Sequence, residues 1–317
     1  MARLSAPTAV VDRLDVPTRS PAETLPVLAV WIRARATAGG STSGNLSAAA
    51  IARGGGGDDD DVDLPLRAIG VASFGPLGVD AASPVYGTIL NTPKVAWRGV
   101  DVLAPFRGFG VPLGLDTDVN APAMAELRYG GHGPATNIAY ITVGTGIGVG
   151  AVVNGSPLHG LLHPEAGHIY APPAPGDTYG GCLTTHPRGV ESMACARALA
   201  DRVGGPAMAV AKLADVPDDH AVWAVAAHYL GHLVLSLVYI LSPHVVVLSG
   251  GVSQRAGLLE GVQSALVDAN AGYLAVSALT EAGVGRYVVR SRFGNAAGVV
   301  GALEVGRRAL DQEGGLL

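Results

Sequence analysis

Apolar residues along this chain fall into short runs, separated by glycine, proline and small polar clusters. Nearly continuous apolar segments at 66–74, 111–115, 137–143 and 244–248 predict buried strands, with weaker strand patterns at 9–16 and 287–291. The longer apolar stretches have helical length: 21–36, 121–129, 189–203, 219–241, a segment from Gly250 to about Asp268, and 296–310. Ser20-Pro21-Ala22-Glu23 is a capping box with proline at the first helical position, which sets the start of the first helix. The apolar run at 230–241 is too short to span a bilayer and predicts a buried core helix. Strands alternating with helices predict an α/β fold with largely parallel sheets. On such sheets ligands gather at the carboxyl ends of strands. Four motifs stand at predicted strand ends: Phe74-Gly75-Pro76, Asp116-Thr117-Asp118, Gly144-Thr145-Gly146 and Gly250-Gly251.

Composition narrows the picture. The chain has 317 residues, 49% of them hydrophobic and 15% charged, enough to build a sizeable core in one large or two ordinary domains. A net charge of −5 argues against a general nucleic-acid or anionic-membrane binder. Two cysteines, Cys182 and Cys195, give no disulfide framework and suit a reducing compartment, so a cytoplasmic protein is expected. The stretch 38–61 is rich in Gly, Ser and Asp and predicts a low-complexity, disordered insertion.

Candidate chemistry centres on the segment 137–153, which predicts a strand, a turn of Gly144, Thr145 and Gly146, and a second strand, closed by Asn154-Gly155. Glycines allow close backbone approach and leave N–H groups free for an anion, and Thr142 and Thr145 add hydroxyl donors. No Gly-Lys-Ser/Thr follows, so this is not a Walker A loop. Asp118 ends a strand where a helix begins. It can take a proton from an alcohol attacking a phosphoryl group, or simply cap the helix. Asn120 could orient it. His163-Pro164-Glu165-Ala166-Gly167-His168 offers carboxylate and imidazole groups suited to a polyhydroxyl ligand. Glu191 could add a carboxylate or merely favour a helix N-terminus. His168, Cys182 and His186 are possible zinc ligands with no obvious fourth partner, and Cys195 could reach only from one helix orientation.

These residues, in this order, resemble the ROK family of sugar kinases, and its bacterial-type fructokinase branch in particular. The likeness is carried by Ala72-Ser-Phe-Gly-Pro76, Tyr86-Gly87, Thr92-Pro-Lys94 with Trp97, and Thr117-Asp-Val-Asn120. It continues through 141–148, 163–168, Ser249-Gly-Gly-Val252 and Asn295-Ala-Ala-Gly298. The resemblance implies an actin-like ATPase (ribonuclease H-like) fold of two lobes around a cleft. The small lobe would be 1–118, completed by the C-terminal helix 296–317, and the large lobe 119–295. It further implies phosphorylation of the 6-hydroxyl of fructose or a related hexose by ATP with Mg²⁺, in a homodimer. Asp118 would be the general base. Glu165, His168 and Glu191 would hold sugar hydroxyls, with Ser73, Gly75, Pro76 and Asn120 beside them. Thr142, Gly144, Thr145 and Gly146 would meet phosphate, and Gly250 and Gly251 would flank the adenosine.

Two features depart from the family pattern. Family members begin with an Asp-x-Gly-Gly-Thr-Lys hairpin, whereas this chain opens Met-Ala-Arg-Leu-Ser-Ala-Pro-Thr. That difference predicts that N-terminal strands of the small lobe are missing, leaving a sheet edge unpaired. It also raises a second reading, a sugar-binding homologue that no longer transfers phosphate. The second departure concerns metal. The branch shows Cys-x-x-His-x-x-Cys before the helix glutamate, but here the loop runs Cys182-x3-His186-x2-Gly189, which weakens the case for structural zinc.

Overall fold

The computed structural model describes residues 1–3, 6–36 and 65–314. The low-complexity stretch 38–61 lies outside the described residues. The chain opens with a short antiparallel pair, β1 (Ala2–Arg3) and β2 (Ala6–Val10), followed by helix α1 (Pro21–Ala36). The capping box forms: Glu23 accepts the Ser20 N–H and hydroxyl. The indole of Trp97 donates to the Arg19 carbonyl at 2.8 Å, tying the entry to α1 onto the 92–98 segment.

Two sheets carry the rest. The smaller pairs β3 (Ile69–Ser73) with β4 (Leu113–Thr117) in parallel, Ser73 facing Thr117. Helix α2 (Asn120–Tyr129) leaves the end of β4. The larger sheet contains β5 (Ile138–Val143), β6 (Ile147–Val153), β7 (Ser156–Pro157), β8 (Val245–Ser249) and β9 (Val288–Arg290), in the order β7-β6-β5-β8-β9. β5 and β6 form the expected antiparallel hairpin, while β8 runs parallel to both β5 and β9.

Both faces of the larger sheet are buried, which explains why its strands read as continuous apolar runs. Ala139, Ile141 and Val143 of β5 and Val246 and Leu248 of β8 face one core. It is shared with α3 (Val190–Ala194), α4 (Ala196–Gly204), α5 (Val222–Leu241) and α6 (Leu258–Asn270). The alternate residues Ile138, Tyr140, Val245 and Val247 face a second core, with α2 and α8 (Ala297–Glu313). A short helix, α7 (Val284–Tyr287), leads into β9. Helix α5 begins upstream of its apolar run, so at 20 residues it is long and apolar enough to cross a membrane; here it packs against α6 and α3 in the first core. Helix α8 lies along β3 and β4 as well as α2, and Gly70 and Gly114 permit this. A Cβ on Gly70 would sit 1.8 Å from the Ala302 carbonyl oxygen, and one on Gly114 2.4 Å from that of Val305.

One predicted helix is broken. The segment expected at 189–203 divides into α3 and α4 at Cys195, whose backbone is extended (φ −69°, ψ 167°). The Ala196 N–H donates to the Gly144 carbonyl at 2.8 Å rather than continuing the α3 ladder. The turn between β5 and β6 thus competes with the helix for a donor and wins.

Candidate active site

The site is built where strands end. At the carboxyl end of the small sheet, the Asp118 N–H donates to the Ser73 carbonyl at 2.8 Å, so the parallel neighbour fixes the turn that carries the carboxylate. The next residue, Val119, drops onto β6. A Cβ on Gly150 would lie 2.0 Å from the Val119 carbonyl oxygen, and one on Gly148 2.7 Å from its side chain. Glycine at these two positions is what lets the β4–α2 junction rest on the hairpin, bringing Asp118 to the larger sheet.

Asp118 is exposed by surface area, although protein atoms crowd the neighbourhood of its carboxylate. That confinement raises its pKa above the ordinary aspartate value, and the Lys94 ammonium pulls it part of the way back. Lys94 is held over the Phe74 ring, 3.7 Å from its centroid, and Phe74 in turn meets Trp97 edge-on.

Glu165 enters from the loop after β7. Burial, then the charges of Glu191 and Asp118, push it up to about 7. The charges of Glu191 and Asp118 thus lie close enough to Glu165 to act on its carboxyl. Glu165 lies 4.0 Å from His168 Nε2 and 3.8 Å from His163 Nδ1. His163 is buried and stays neutral more readily than a free histidine. Its Nε2 accepts the Leu77 N–H at 3.1 Å, bolting the loop to the Gly75-Pro76 turn after β3. Beneath this, the buried carboxylate of Asp116 meets His159 Nε2 at 3.1 Å and accepts the Thr117 N–H at 2.8 Å.

The glycine turn adjoins Glu191. Glu191 Oε2 accepts the Ile147 N–H at 2.8 Å, and a Cβ on Gly146 would meet that oxygen at 2.6 Å. One carboxylate of the cluster is therefore hydrogen-bonded to the first residue of β6. Thr142 faces Ser249 across the β5–β8 ladder, which puts the turn at Gly144 beside Gly250-Gly251. Gly250 has φ +88°, and a Cβ there would lie 2.4 Å from the Val143 carbonyl oxygen, so this crossing requires glycine. A cavity of about 690 Å³ opens from Gly144 and Thr145 to Gly251, walled by Leu213, Trp223 and Arg255. Its size suits a nucleoside.

Glu165 thus stands close to Asp118, His168 and Glu191, and Glu191 reaches the Gly144–Gly146 turn. Ser73, Gly75 and Pro76 border the group from the small sheet. Asn120 does not. It is fully buried, and its amide oxygen accepts the Ala151 N–H at 3.0 Å, so it fastens α2 to β6 instead of touching a ligand. The possible zinc site, already weakened by Gly189, is not assembled among the described residues. His168 Nδ1 is buried without a hydrogen-bond partner, but His168 packs against the His186 ring, and Cys182 pairs with Cys195 at 3.6 Å. Among the described residues no three His, Cys, Asp or Glu side chains converge as metal ligands do, so the residues present do not fit zinc. His163 is expected, with the 163–168 cluster, as a ligand-binding imidazole but instead holds that loop to Leu77, while Lys94 and His159 are not named as site residues from the sequence. Each works through a partner distant in sequence, so spacing carried no signal.

A family model described as the ROK family matches residues 60–308. A relative from Bacillus subtilis (strain 168) is 37% identical over 249 residues, which is 78% of this chain and 81% of the relative. The fructokinase of Zymomonas mobilis is 36% identical over 237 residues, covering 74% of this chain and 76% of its own. Among solved structures, a ROK hexokinase from Thermus thermophilus superposes with a TM-score of 0.64 at 27% identity, over 94% of this chain and 90% of that one. The fold is the α/β actin-like ATPase fold. The chain belongs to the ROK family of sugar kinases.

Proposed function

We propose that this protein transfers the terminal phosphoryl group of ATP to the 6-hydroxyl of a hexose, with D-fructose as substrate and fructose 6-phosphate as product. The observation that carries the reading is the grouping of Glu165 with Asp118 and Glu191, the last of which accepts the N–H of Ile147 at the end of the glycine turn. The fructose preference draws on the relative named fructokinase.

In this reading the sugar lies between the Gly75-Pro76 turn and the 163–168 loop. Glu165 and His168 take neighbouring hydroxyls, the carboxylate accepting and the imidazole donating, and Glu191 adds an acceptor. A sugar lacking one of those hydroxyls would leave buried groups unpaired. ATP enters as its Mg²⁺ complex. Its adenosine occupies the cavity beside Gly250, Gly251 and Trp223, and its phosphates meet Thr142 and the Gly144-Thr145-Gly146 turn. Asp118 receives the proton as the 6-oxygen attacks phosphorus. The new P–O bond forms as the bond to the ADP oxygen breaks, in line. The contribution of the protein is positioning and charge stabilisation. Such chemistry belongs where ATP is made and spent, in the cytoplasm.

The direct test measures ADP release with fructose, mannose and glucose in turn. The reading expects hexose-dependent ADP formation, with fructose giving the highest kcat/KM. Hexose binding without ADP formation would instead leave a sugar-binding protein.

A further inference from the structure

The chain has two cysteines, and the fold brings them together. Their Sγ atoms are 3.6 Å apart, although 13 positions separate the residues. Backbone hydrogen bonds hold both ends. The Cys182 N–H donates to the Ser192 carbonyl at 3.0 Å, and the following Leu183 N–H donates to Ser192 Oγ at 2.8 Å. Gly181, with φ +92°, cannot take a side chain, because a Cβ would sit 1.8 Å from the Pro187 carbonyl oxygen. Cys195 occupies the extended joint between α3 and α4, and its N–H donates to the Glu191 carbonyl at 3.0 Å. The contact is therefore a fixed feature of the backbone, not a meeting of two free loops. Cys182 is half-buried, while Cys195 is buried at 1% exposure.

We propose that Cys182 and Cys195 form a reversible disulfide, with a small-molecule disulfide such as oxidised glutathione as co-reactant. The accessible thiolate of Cys182 attacks one glutathione sulfur. The glutathione S–S bond breaks, one glutathione leaves as thiolate, and a mixed disulfide forms on Cys182. Cys195 then attacks the Cys182 sulfur and expels the second glutathione. Two protein thiols are oxidised, one glutathione disulfide is reduced to two thiols, and the protons lost by the cysteines are taken up by the departing glutathione thiolates. The sulfurs need to close from contact to about 2.05 Å. The bond fastens the loop carrying Cys182 to the joint that lies between Glu191 and Ala196, the residue whose N–H holds the Gly144 turn.

The proposal goes beyond the kinase reading and does not need it, because its test counts sulfur and not turnover. The full chain is incubated natively with oxidised glutathione, quenched by alkylation and weighed. The expected product is a monomer that has lost two hydrogens, takes up no alkyl group and regains both thiols with dithiothreitol. Cys195→Ser should instead keep one glutathione on Cys182, and Cys195→Ala, which keeps the site apolar, serves if serine prevents folding. Cys182→Ser should take up none, since the buried sulfur is not reached first. Wild-type protein that keeps a glutathione adduct, retains both free thiols or links only chain to chain overturns the proposal.

Discussion

Glu165 is a carboxylic acid held at a pH where most glutamates have long been ionised. Its pKa stands at about 7 because burial and the charges of Glu191 and Asp118 oppose its anion. The sign for stability follows. Between 4.5, the ordinary value, and about 7, the folded chain binds more protons at this site than the unfolded one. This site's contribution to stability is therefore present at low pH and lost as pH rises through that window. Glu165→Gln, neutral and of similar shape, should raise Tm above wild type at about pH 8, with the gap closing below about pH 4.5. In the proposed function the same substitution removes a sugar acceptor, so hexose KM should rise even though the protein becomes more stable. For the wild type, hexose KM should fall as pH rises through about 7, when the acceptor form appears. A flat KM profile across that range would detach Glu165 from the sugar. His163 gives the opposite linkage. Burial lowers its pKa, so the unfolded chain binds the extra proton, and stability falls as pH drops below about 6.5. His163→Ala leaves the Leu77 N–H without an acceptor and should cost about 1–3 kcal/mol near neutrality. Urea unfolding at about pH 8 and pH 5 checks both points: the deficit should shrink in acid, where only the wild type has an imidazole that takes up a proton on unfolding.

At the scale of elements, the strands were legible because both faces of the larger sheet are buried, so apolar runs marked them directly. The glycine turns were legible because their glycines sit at strand ends, and at Gly250 the backbone crossing with Val143 explains the choice of residue. The break at Cys195 was not legible. Nothing near 195 disfavours a helix, and the cause is a carbonyl at Gly144, far back in the chain. His163 and Leu77 are 86 residues apart, and His159 and Asp116 are 43 apart, so only the fold could pair them. Asn120 misled for a related reason. Its place two residues after Asp118 suggests a shared cleft, but a helix start turns successive side chains to different sides, and this one points into the β6 ladder. The proposed zinc cluster shares that weakness, since sequence spacing gave three ligands and the fold distributes them into a histidine pair and a cysteine pair.

Over the whole molecule, two parallel strand pairs aim their ends at one place. β3 and β4 deliver the Gly75-Pro76 turn and Asp118, β5 and β8 deliver the glycine turn and Gly250-Gly251, and α2 resting on β6 holds the two sheets in register. That arrangement puts both the cavity walled by Trp223 and the carboxylate of Glu191 against the Gly144–Gly146 turn. Trp223 walls the cavity, so nucleotide binding should be visible in its fluorescence. ADP titration should change the emission of the wild type, and Trp223→Phe should remove most of that change while leaving hexose-induced signals intact. Nucleotide at about a hundred times Kd should also stabilise the fold by about 2.7 kcal/mol. The proposed transfer rests on Asp118, and its replacement tests the account most directly. For Asp118→Asn, turnover with ATP and fructose is measured alongside fructose binding by calorimetry. The account predicts a kcat at least about a hundredfold lower, with fructose Kd within a few-fold of wild type. An unchanged kcat would contradict it.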